Sequence, residues 1–328
     1  MTDVIILAYN AHKTIDKAIA SIITQTVLAD LTITIVDDSS PDGSYDEQVQ
    51  RYSDIADIRC IKTPQNGGCG VVRQYGIDHT NGEYFMFLDA DDTFADAFSV
   101  GRLINALNDI PAACVAVGSF LEERESDFHL HEKDMVWMHG KLYRRSFWDQ
   151  YNIRFHPTSR ANEDNGVNTI IKFIADKDGY KLAYVPDVVY QWQYNHSSIT
   201  RANQCAYYFG ASYPGYVENM IYAFNFVYKL FDGYTEYALK MCARVMCFLY
   251  AYYCETQRFA PQNTETNFTA CKQFYREIYQ PIEHHVSTET FEDMYRLAME
   301  SSFSKFPYVQ TQTIYQFIND LKGDNNGN

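Results

Sequence analysis

The sequence predicts an α/β protein with a mostly parallel central sheet and flanking helices, followed by an all-helical C-terminal region. Over residues 1–203, short apolar runs alternate with helical patterns, which is typical of a parallel sheet covered by helices. Polar segments follow three of these runs, at the strand ends where such sheets hold their ligands. From residue 204 onward, long helical patterns replace the apolar runs. We therefore expect a first domain over residues 1–203 and a helical region over residues 204–328.

Five runs are predicted to be strands because each is short, apolar and bounded by turn-forming residues. They are Val4–Leu7, Leu31–Val36, Asp57–Ile61, Tyr84–Leu88 and Ala113–Val117. Apolar residues at helical spacing predict helices between these strands and in the C-terminal region. These helical patterns are Thr14–Thr24, Val71–His79, Asp96–Asn108, Tyr234–Gln257 and Phe268–Gln280.

Composition limits the classes of partner. The chain of 328 residues is 46% hydrophobic, which is enough for a sizeable core. Its 27 basic and 42 acidic residues give a formal charge of −15, which argues against a broad surface for nucleic acid or anionic membranes. A local basic groove remains compatible with this charge.

Cysteine usage and hydropathy bear on the compartment. The eight cysteines contain no C-x-x-C pair, so we expect reduced, mostly buried thiols rather than a zinc site or a disulfide framework. No run reaches about 18 consecutive apolar residues, and no basic segment precedes the first strand. These features predict a soluble cytoplasmic protein.

Three polar segments follow predicted strands and should meet at one edge of the sheet. They are Ala8-Tyr9-Asn10, Asp37-Asp38 and Asp89-Ala90-Asp91-Asp92. Carboxylates in this position can accept hydrogen bonds from a base or sugar, or hold a divalent cation that bridges phosphates. Because the acids that follow the fourth strand repel one another, we expect a positive charge among them.

The segment "DADDT" leaves two kinds of enzyme open. It fits the D-x-D-x-T pattern of haloacid-dehalogenase-type phosphatases, in which Asp89 would be the nucleophile and Asp91 the acid/base. That loop normally ends the first strand of its domain and needs a late acidic pair after another strand. Here it ends the fourth predicted strand, and "VPDVVYQW" offers one Asp. The context therefore disfavours the phosphatase.

Four segments in order resemble the nucleotide-sugar half of family-2 glycosyltransferases, which have the Rossmann-like GT-A fold. They are "VIILAYNAHKTIDKAIASIITQT", "TIVDDSSPDGS", "NGGCGVVRQYGI" and "YFMFLDADD". The resemblance continues through His139–Phe155, Ala161–Gly166 and Tyr190–Thr200, and so covers residues 1–203. It implies a metal-dependent, inverting glycosyltransferase that uses a nucleotide-sugar donor.

The resemblance also implies roles for individual residues. Tyr9 would line the nucleobase pocket, and Asp38 would accept a hydrogen bond from the uracil imide. Arg73 would lie near the nucleotide, although Val72 and Gln74 beside it depart from the family pattern. Asp89 would face the ribose, and Asp91, of the DXD motif, would ligate Mn²⁺ or Mg²⁺ on the donor diphosphate. The full implied donor set is Ala8, Tyr9, Asn10, Asp38, Arg73, Asp89, Ala90 and Asp91.

The segment "NEDN" resembles the family's E-D motif at the start of a helix. An inverting displacement needs a carboxylate within hydrogen-bond reach of the acceptor hydroxyl, and the resemblance implies Asp164 as this base, supported by Glu163. Capping of the helix is the alternative explanation for these acids. His196 is implied as a second metal ligand, whereas the other histidines, including the pair His284-His285, receive no role.

The acceptor is not encoded in the motifs. A UDP-sugar donor and a glycan acceptor are favoured, while a modified nucleic-acid base or a protein stays open as acceptor. The aromatic helices beyond residue 204 could bind the acceptor or mediate homo-oligomerisation. A non-catalytic module that binds nucleotide sugars is a third alternative, which the presence of both Asp91 and Asp164 disfavours.

Overall fold

A computed structural model describes residues 1–196, 198, 207–301 and 310–323. The chain separates into two compact units. The first comprises Met1–Asn168 and Asp178–His196, and the second comprises Thr169–Lys177 and the chain from Ser197 onward. The predicted boundary between residues 203 and 204 lies outside the described residues.

The first unit is built on a nine-stranded sheet. Its spatial order is β3-β2-β1-β4-β8-β6-β9-β5, with β7 paired to β6. The strands are β1 (Thr2–Ala8), β2 (Leu31–Asp37), β3 (Asp57–Lys62), β4 (Tyr84–Asp89), β5 (Thr93–Phe94), β6 (Ala113–Glu123), β7 (Phe128–His131), β8 (Lys141–Arg144) and β9 (Lys181–Trp192).

The predicted α/β fold class is confirmed, and the five predicted strands correspond to β1, β2, β3, β4 and β6. Strands β1 to β4 are mutually parallel, whereas β8 joins β4 and β6 in antiparallel pairs, so the sheet as a whole is mixed. In the parallel part, Ala8 pairs with Asp37 and Leu7 pairs with Asp89. This register brings the polar segments that follow β1, β2 and β4 to one edge of the sheet.

Helices cover the sheet of the first unit. In α1, Ile15, Ala18, Ile19 and Ile22 are buried, as a one-sided apolar stripe at helical spacing requires. Strands β1 and β2 are buried along their whole length, and one face of each contributes to the same core. The residues on these faces are Val4, Ile6 and Ala8 of β1 and Leu31, Ile33 and Ile35 of β2. The helices are α1 (Ile15–Ile23), α2 (Asp46–Tyr52), α3 (Cys69–Asp78), α4 (Ser99–Asp109), α5 (Arg145–Gln150) and α6 (Glu163–Asp178), of which residues 169–177 belong to the second unit.

Close approach of α3 to β1 depends on Gly76. A Cβ at this position would lie 2.5 Å from Cγ2 of Ile5, so Gly76→Ala is expected to destabilise the first unit by about 1–3 kcal/mol through overpacking. Gly101 of α4 is the matched control, because its Cβ would meet Val27 at an ordinary 3.5 Å and alanine favours helices. Urea unfolding followed by tryptophan fluorescence measures both variants, and equal stabilities would contradict the packing argument.

The second unit is helical, as predicted. Its core contains Tyr213, Phe224, Met246 and Phe274, which are all buried. The predicted pattern Tyr234–Gln257 corresponds to the longest helix described in this unit. The helices are α7 (Tyr213–Phe231), α8 (Glu236–Phe259), α9 (Thr264–Phe274), α10 (Thr288–Ser301) and α11 (Ile314–Lys322).

Across the described ranges, every helix is too short or too polar to form a membrane span.

Candidate functional site

The acidic segment that follows β4 contains three carboxyl groups in different environments. Asp92 is buried and accepts hydrogen bonds from the hydroxyl of Tyr190 at 2.6 Å and from the backbone N–H of Gln193 at 2.8 Å. Burial, followed by repulsion from Asp89 and Asp91, raises the pKa of Asp92 well above its ordinary value. Asp92 therefore joins the segment at the end of β4 to the end of β9.

Asp89 and Asp91 are more accessible than Asp92. Each is partly exposed, and the Asp91 carboxylate accepts a hydrogen bond from Nδ2 of Asn195 at 2.9 Å. The Asp89 carboxylate lies 3.3 Å from the guanidinium of Arg73. Both predicted donor-binding acids thus lie at the carboxyl edge of the sheet with oxygen atoms that a ligand can approach.

Arg73 places a positive charge beside Asp89, one of these acids. Its guanidinium pairs with Glu163 as well as Asp89 and lies 5.7 Å from the centre of the Phe87 ring. Its side chain is 6% exposed, so the charge is almost fully removed from water. Burial lowers the pKa of Arg73, but Glu163 and then Asp89 outweigh this effect and raise it above its ordinary value. Arg73 therefore links the end of β4 to the start of α6.

The loop before α3 is fixed by Asp38. Oδ1 of Asp38 accepts hydrogen bonds from Oγ1 of Thr63 at 3.0 Å and from the N–H of Gly67 at 2.8 Å, and Oδ2 accepts from the N–H of Gly68 at 2.8 Å. Gly68 has φ +82°, which favours glycine. Because a carboxylate oxygen has two lone pairs, Oδ2 retains one beyond this bond. Asp38, which is 3% exposed, therefore orients α3, which carries Arg73.

The segment that follows β1 turns sharply. Ala8 is buried, whereas Tyr9 is 51% exposed. Asn10 has φ +52°, and its backbone N–H donates to Oγ of Ser40 at 3.0 Å. This bond ties the turn after β1 to the segment that follows β2.

Glu163 and Asp164 begin α6, as predicted, and Asn162 precedes them in a left-handed conformation. Glu163 is engaged by Arg73, whereas Oδ1 of Asp164 accepts a hydrogen bond from the N–H of Asn165 at 2.8 Å. Burial and the charge of Glu163 raise the pKa of Asp164 to about 7. A carboxyl group with this pKa can exchange a proton near neutral pH.

Among the described residues, the predicted metal ligands Asp91 and His196 do not belong to a shared cluster of three or more potential metal ligands. His196 is exposed, and its ring contacts Tyr194 with centroids 4.6 Å apart. Within the described residues, the group whose ligand atoms all lie within 4.8 Å of one another is Asp89, Asp92 and His139. His139 received no role from the sequence. The available signal for His139 was its position in the segment "HGKLYRRSFWDQYNIRF", which resembles the family. The sequence of this segment does not indicate that His139 is buried.

The comparisons with known sequences agree with this geometry. Residues 3–161 match the family described as Glycosyl transferase family 2. Glycosyltransferase GlyA of Streptococcus pneumoniae is 26% identical over 60% of this chain and 31% of that protein. Poly(ribitol-phosphate) beta-glucosyltransferase of Bacillus spizizenii is 26% identical over 56% of this chain and 34% of that protein. The chain thus spans about a third of the length of these curated relatives.

Solved structures show the same fold. S. aureus TarS 1-349 in complex with UDP has a TM-score of 0.64 at 14% identity, covering 95% of each chain. The mannosyltransferase PcManGT of Pyrobaculum calidifontis in complex with GDP-Man and Mn²⁺ has a TM-score of 0.54 at 16% identity, covering 99% of this chain and 86% of that one. These likenesses confirm the GT-A type of sheet and its helical surroundings, and nothing in them favours a phosphatase.

Proposed function

We propose that this chain, whose residues 3–161 match the model of glycosyltransferase family 2, is a glycosyltransferase that transfers a sugar from a nucleotide-sugar donor to a hydroxyl acceptor with inversion. The observation that carries this proposal is the chain of contacts Asp89–Arg73–Glu163, followed directly by Asp164. It connects the acids of the proposed donor site to a buried carboxyl group suited to act as a base. The whole reaction therefore has its groups at one edge of the sheet.

UDP is the proposed donor nucleotide. S. aureus TarS, which shares the fold, has been solved with UDP and with UDP-GlcNAc, and this supports a uridine nucleotide here. In our proposal the exposed Tyr9 ring covers the base, and the remaining lone pair of Asp38 accepts from the imide. Asp89 faces the ribose, while Ala8, Asn10 and Ala90 contribute backbone around the nucleotide.

A divalent metal, Mn²⁺ or Mg²⁺, is the proposed cofactor. The partly exposed carboxylate of Asp91 fits it, because hard cations prefer oxygen ligands. The complex of PcManGT with Mn²⁺ supports a metal in this fold. When bound, such an ion neutralises the charge that develops on the departing nucleoside diphosphate. Asp91 would hold it, with His196 as the proposed second ligand.

Asp164 is the proposed base. Its carboxylate takes the proton of the acceptor hydroxyl, whose oxygen then attacks the anomeric carbon from the face opposite the departing diphosphate. Glu163 is held by Arg73 and so positions the start of α6. The pairing of Glu163 with a cation leaves Asp164 as the carboxyl group available for proton transfer.

The activity should rise with pH through about 7. Asp164 accepts a proton only when ionised, and burial and Glu163 raise its pKa to about 7. Below that value kcat/KM should fall about tenfold per pH unit, and above it kcat/KM should level off. A profile from about pH 5 to about pH 9 at constant metal concentration measures this, and a rising limb near pH 4 would place the base elsewhere.

Asp91→Asn should remove metal-dependent donor binding while leaving the fold intact. The substitution keeps the size of the side chain but removes the charge that would ligate the ion, so calorimetry should detect UDP binding with no response to Mn²⁺. Asp109→Asn is the matched control, because Asp109 is an exposed aspartate at the end of α4.

An unchanged Mn²⁺ response in Asp91→Asn would contradict this assignment and reopen the phosphatase alternative. Trapping of a phosphorylated Asp89 is the direct check of that alternative. A screen of UDP- and GDP-sugars for metal-dependent donor hydrolysis tests the proposed function itself. Donor binding without any transfer would favour a non-catalytic module.

The helical region from residue 204 onward is proposed to govern acceptor choice or self-association. The segments assigned to the donor end by Thr200, so this region is free for another task. Residues 205–328 carry nine Lys and Arg against 13 Asp and Glu, which favours a neutral glycan over a long polyanion. Transfer to saccharides should therefore exceed transfer to DNA with hydroxylated bases.

We propose a cytoplasmic location. Seven cysteines of the described residues are free and five of these are buried, which supports this location.

A further inference from the structure

His139 is a buried histidine that the proposed reaction does not use. It precedes β8 and is 6% exposed. Aromatic side chains surround its ring, with the centroids of Tyr190 and Trp192 at 4.7 and 5.0 Å. Among the described residues, no hydrogen bond or ion pair involves either of its ring nitrogens. Neither nitrogen is among the fully buried polar atoms that lack a partner, so the ring is not sealed from a ligand.

Two carboxylates, those of Asp89 and Asp92, lie close to His139 at the end of β4. Ligand atoms of the three residues lie within 4.8 Å of one another, yet the imidazole is outside hydrogen-bond range of both acids. A metal ion lies roughly 2.1–2.4 Å from each ligand atom, so two ligand atoms on opposite sides of the ion are about 4.2–4.8 Å apart. Ligand atoms within 4.8 Å of one another can therefore share one ion.

The ligand types also suit a cation. An imidazole can coordinate a cation through the lone pair of a ring nitrogen. The Asp92 carboxylate accepts one hydrogen bond on each oxygen and so retains lone pairs for a further partner. Carboxylates suit Mn²⁺, and imidazole is a common ligand of transition-metal ions.

The loop that carries His139 is held rigidly. Nζ of Lys141 is fully buried and donates to the backbone carbonyl of Trp137 and, at 3.4 Å, to that of His139. A ligand that is fixed before the ion arrives loses little freedom when it binds.

We propose that Asp89, Asp92 and His139 form a cation site that fills without nucleotide, behind the proposed donor metal at Asp91. An ion there balances the acids that Arg73 leaves unneutralised, because Arg73 is shared between Asp89 and Glu163. This charge-balancing role rests on the proposed function. Binding of the ion does not, since it needs neither the donor nor sugar transfer.

Mn²⁺ titration of the full chain, stripped with a chelator and kept free of nucleotide, tests the site. We expect one Mn²⁺ per chain, with pulsed electron paramagnetic resonance showing coupling to the ¹⁴N of a directly bound imidazole. The coupling should persist in His196→Gln and vanish in His139→Gln. Asp92→Asn, which keeps the shape of the side chain, should weaken binding by at least about tenfold.

His129→Gln is the matched control, because His129 is an exposed histidine on β7 and its loss should leave the coupling unchanged. Absence of ¹⁴N coupling in the wild-type chain, or its loss in His196→Gln alone, overturns the site. If His139→Gln fails to fold, Mn²⁺ binding and ¹⁴N coupling are still compared among the wild type, His196→Gln and Asp92→Asn, and this comparison tests the site. If the same wild-type preparation hydrolyses the donor but shows no ¹⁴N coupling, the cation site is wrong and the proposed function stands.

Discussion

Replacement of Asp164 by Asn is expected to slow sugar transfer by about 10²–10⁴-fold while donor binding stays close to that of the wild type. The amide has the shape of the carboxylate and can still accept the hydrogen bond from the N–H of Asn165. It cannot accept a proton from the acceptor hydroxyl. Because Arg73 contacts Glu163 and Asp89, the substitution leaves the link to the proposed donor site in place. Turnover and calorimetry with UDP measure the two effects separately.

Asp176→Asn is the matched control for this prediction. Asp176 is an exposed aspartate on α6, the helix that Asp164 begins, so its substitution should change neither transfer nor UDP binding. Wild-type transfer by Asp164→Asn would move the base to another group, with Glu163 the first candidate. Loss of UDP binding would instead indicate that Asp164 serves the donor.

Local sequence was sufficient for the parallel part of the sheet. Strands β1, β2 and β4 are buried along their length, so each is a continuous apolar run that stands out from its surroundings. Strand β8 has four residues and was not predicted, because so short a run in "HGKLYRRSF" has no detectable period. Strand β9 alternates buried and exposed positions irregularly and pairs with β6 across bulges, which obscures its pattern.

The sequence pointed to the acids of the site but not to their partners. The order of the segments indicated Asp89, Asp91 and Asp164, since these lie next to recognisable strands or helix starts. Burial of His139 and of Asp92 depends on β8 and β9, which are distant in sequence from β4. Likewise, the pairing of Arg73 with Glu163 joins residues from two separate helices. Contacts of this kind follow from tertiary packing, which no local pattern encodes.

Arg73→Met is expected to destabilise the first unit by about 3–5 kcal/mol, the cost of removing one partner from a buried ion pair. Methionine preserves an apolar stem against the Phe87 ring but leaves Glu163, whose side chain is 10% exposed, without its cation. The free energy of unfolding is measured by urea titration followed by tryptophan fluorescence. All three tryptophans lie in the first unit, so the signal reports this unit and not the helices of the second.

Two further variants separate the charge of Arg73 from its packing. Arg51→Met, at an exposed arginine that pairs with Asp16 and Glu47, should leave the free energy of unfolding close to that of the wild type, because water screens exposed ion pairs. The double variant Arg73→Met/Glu163→Gln should recover at least about 1 kcal/mol relative to Arg73→Met, because a neutral amide is less costly to bury unpaired than a carboxylate. If the double variant is as unstable as Arg73→Met, packing against Phe87 is the main contribution of Arg73. Recovery shows instead that the unpaired charge of Glu163 is what destabilises the start of α6, and hence that Arg73 holds the helix that carries the proposed base.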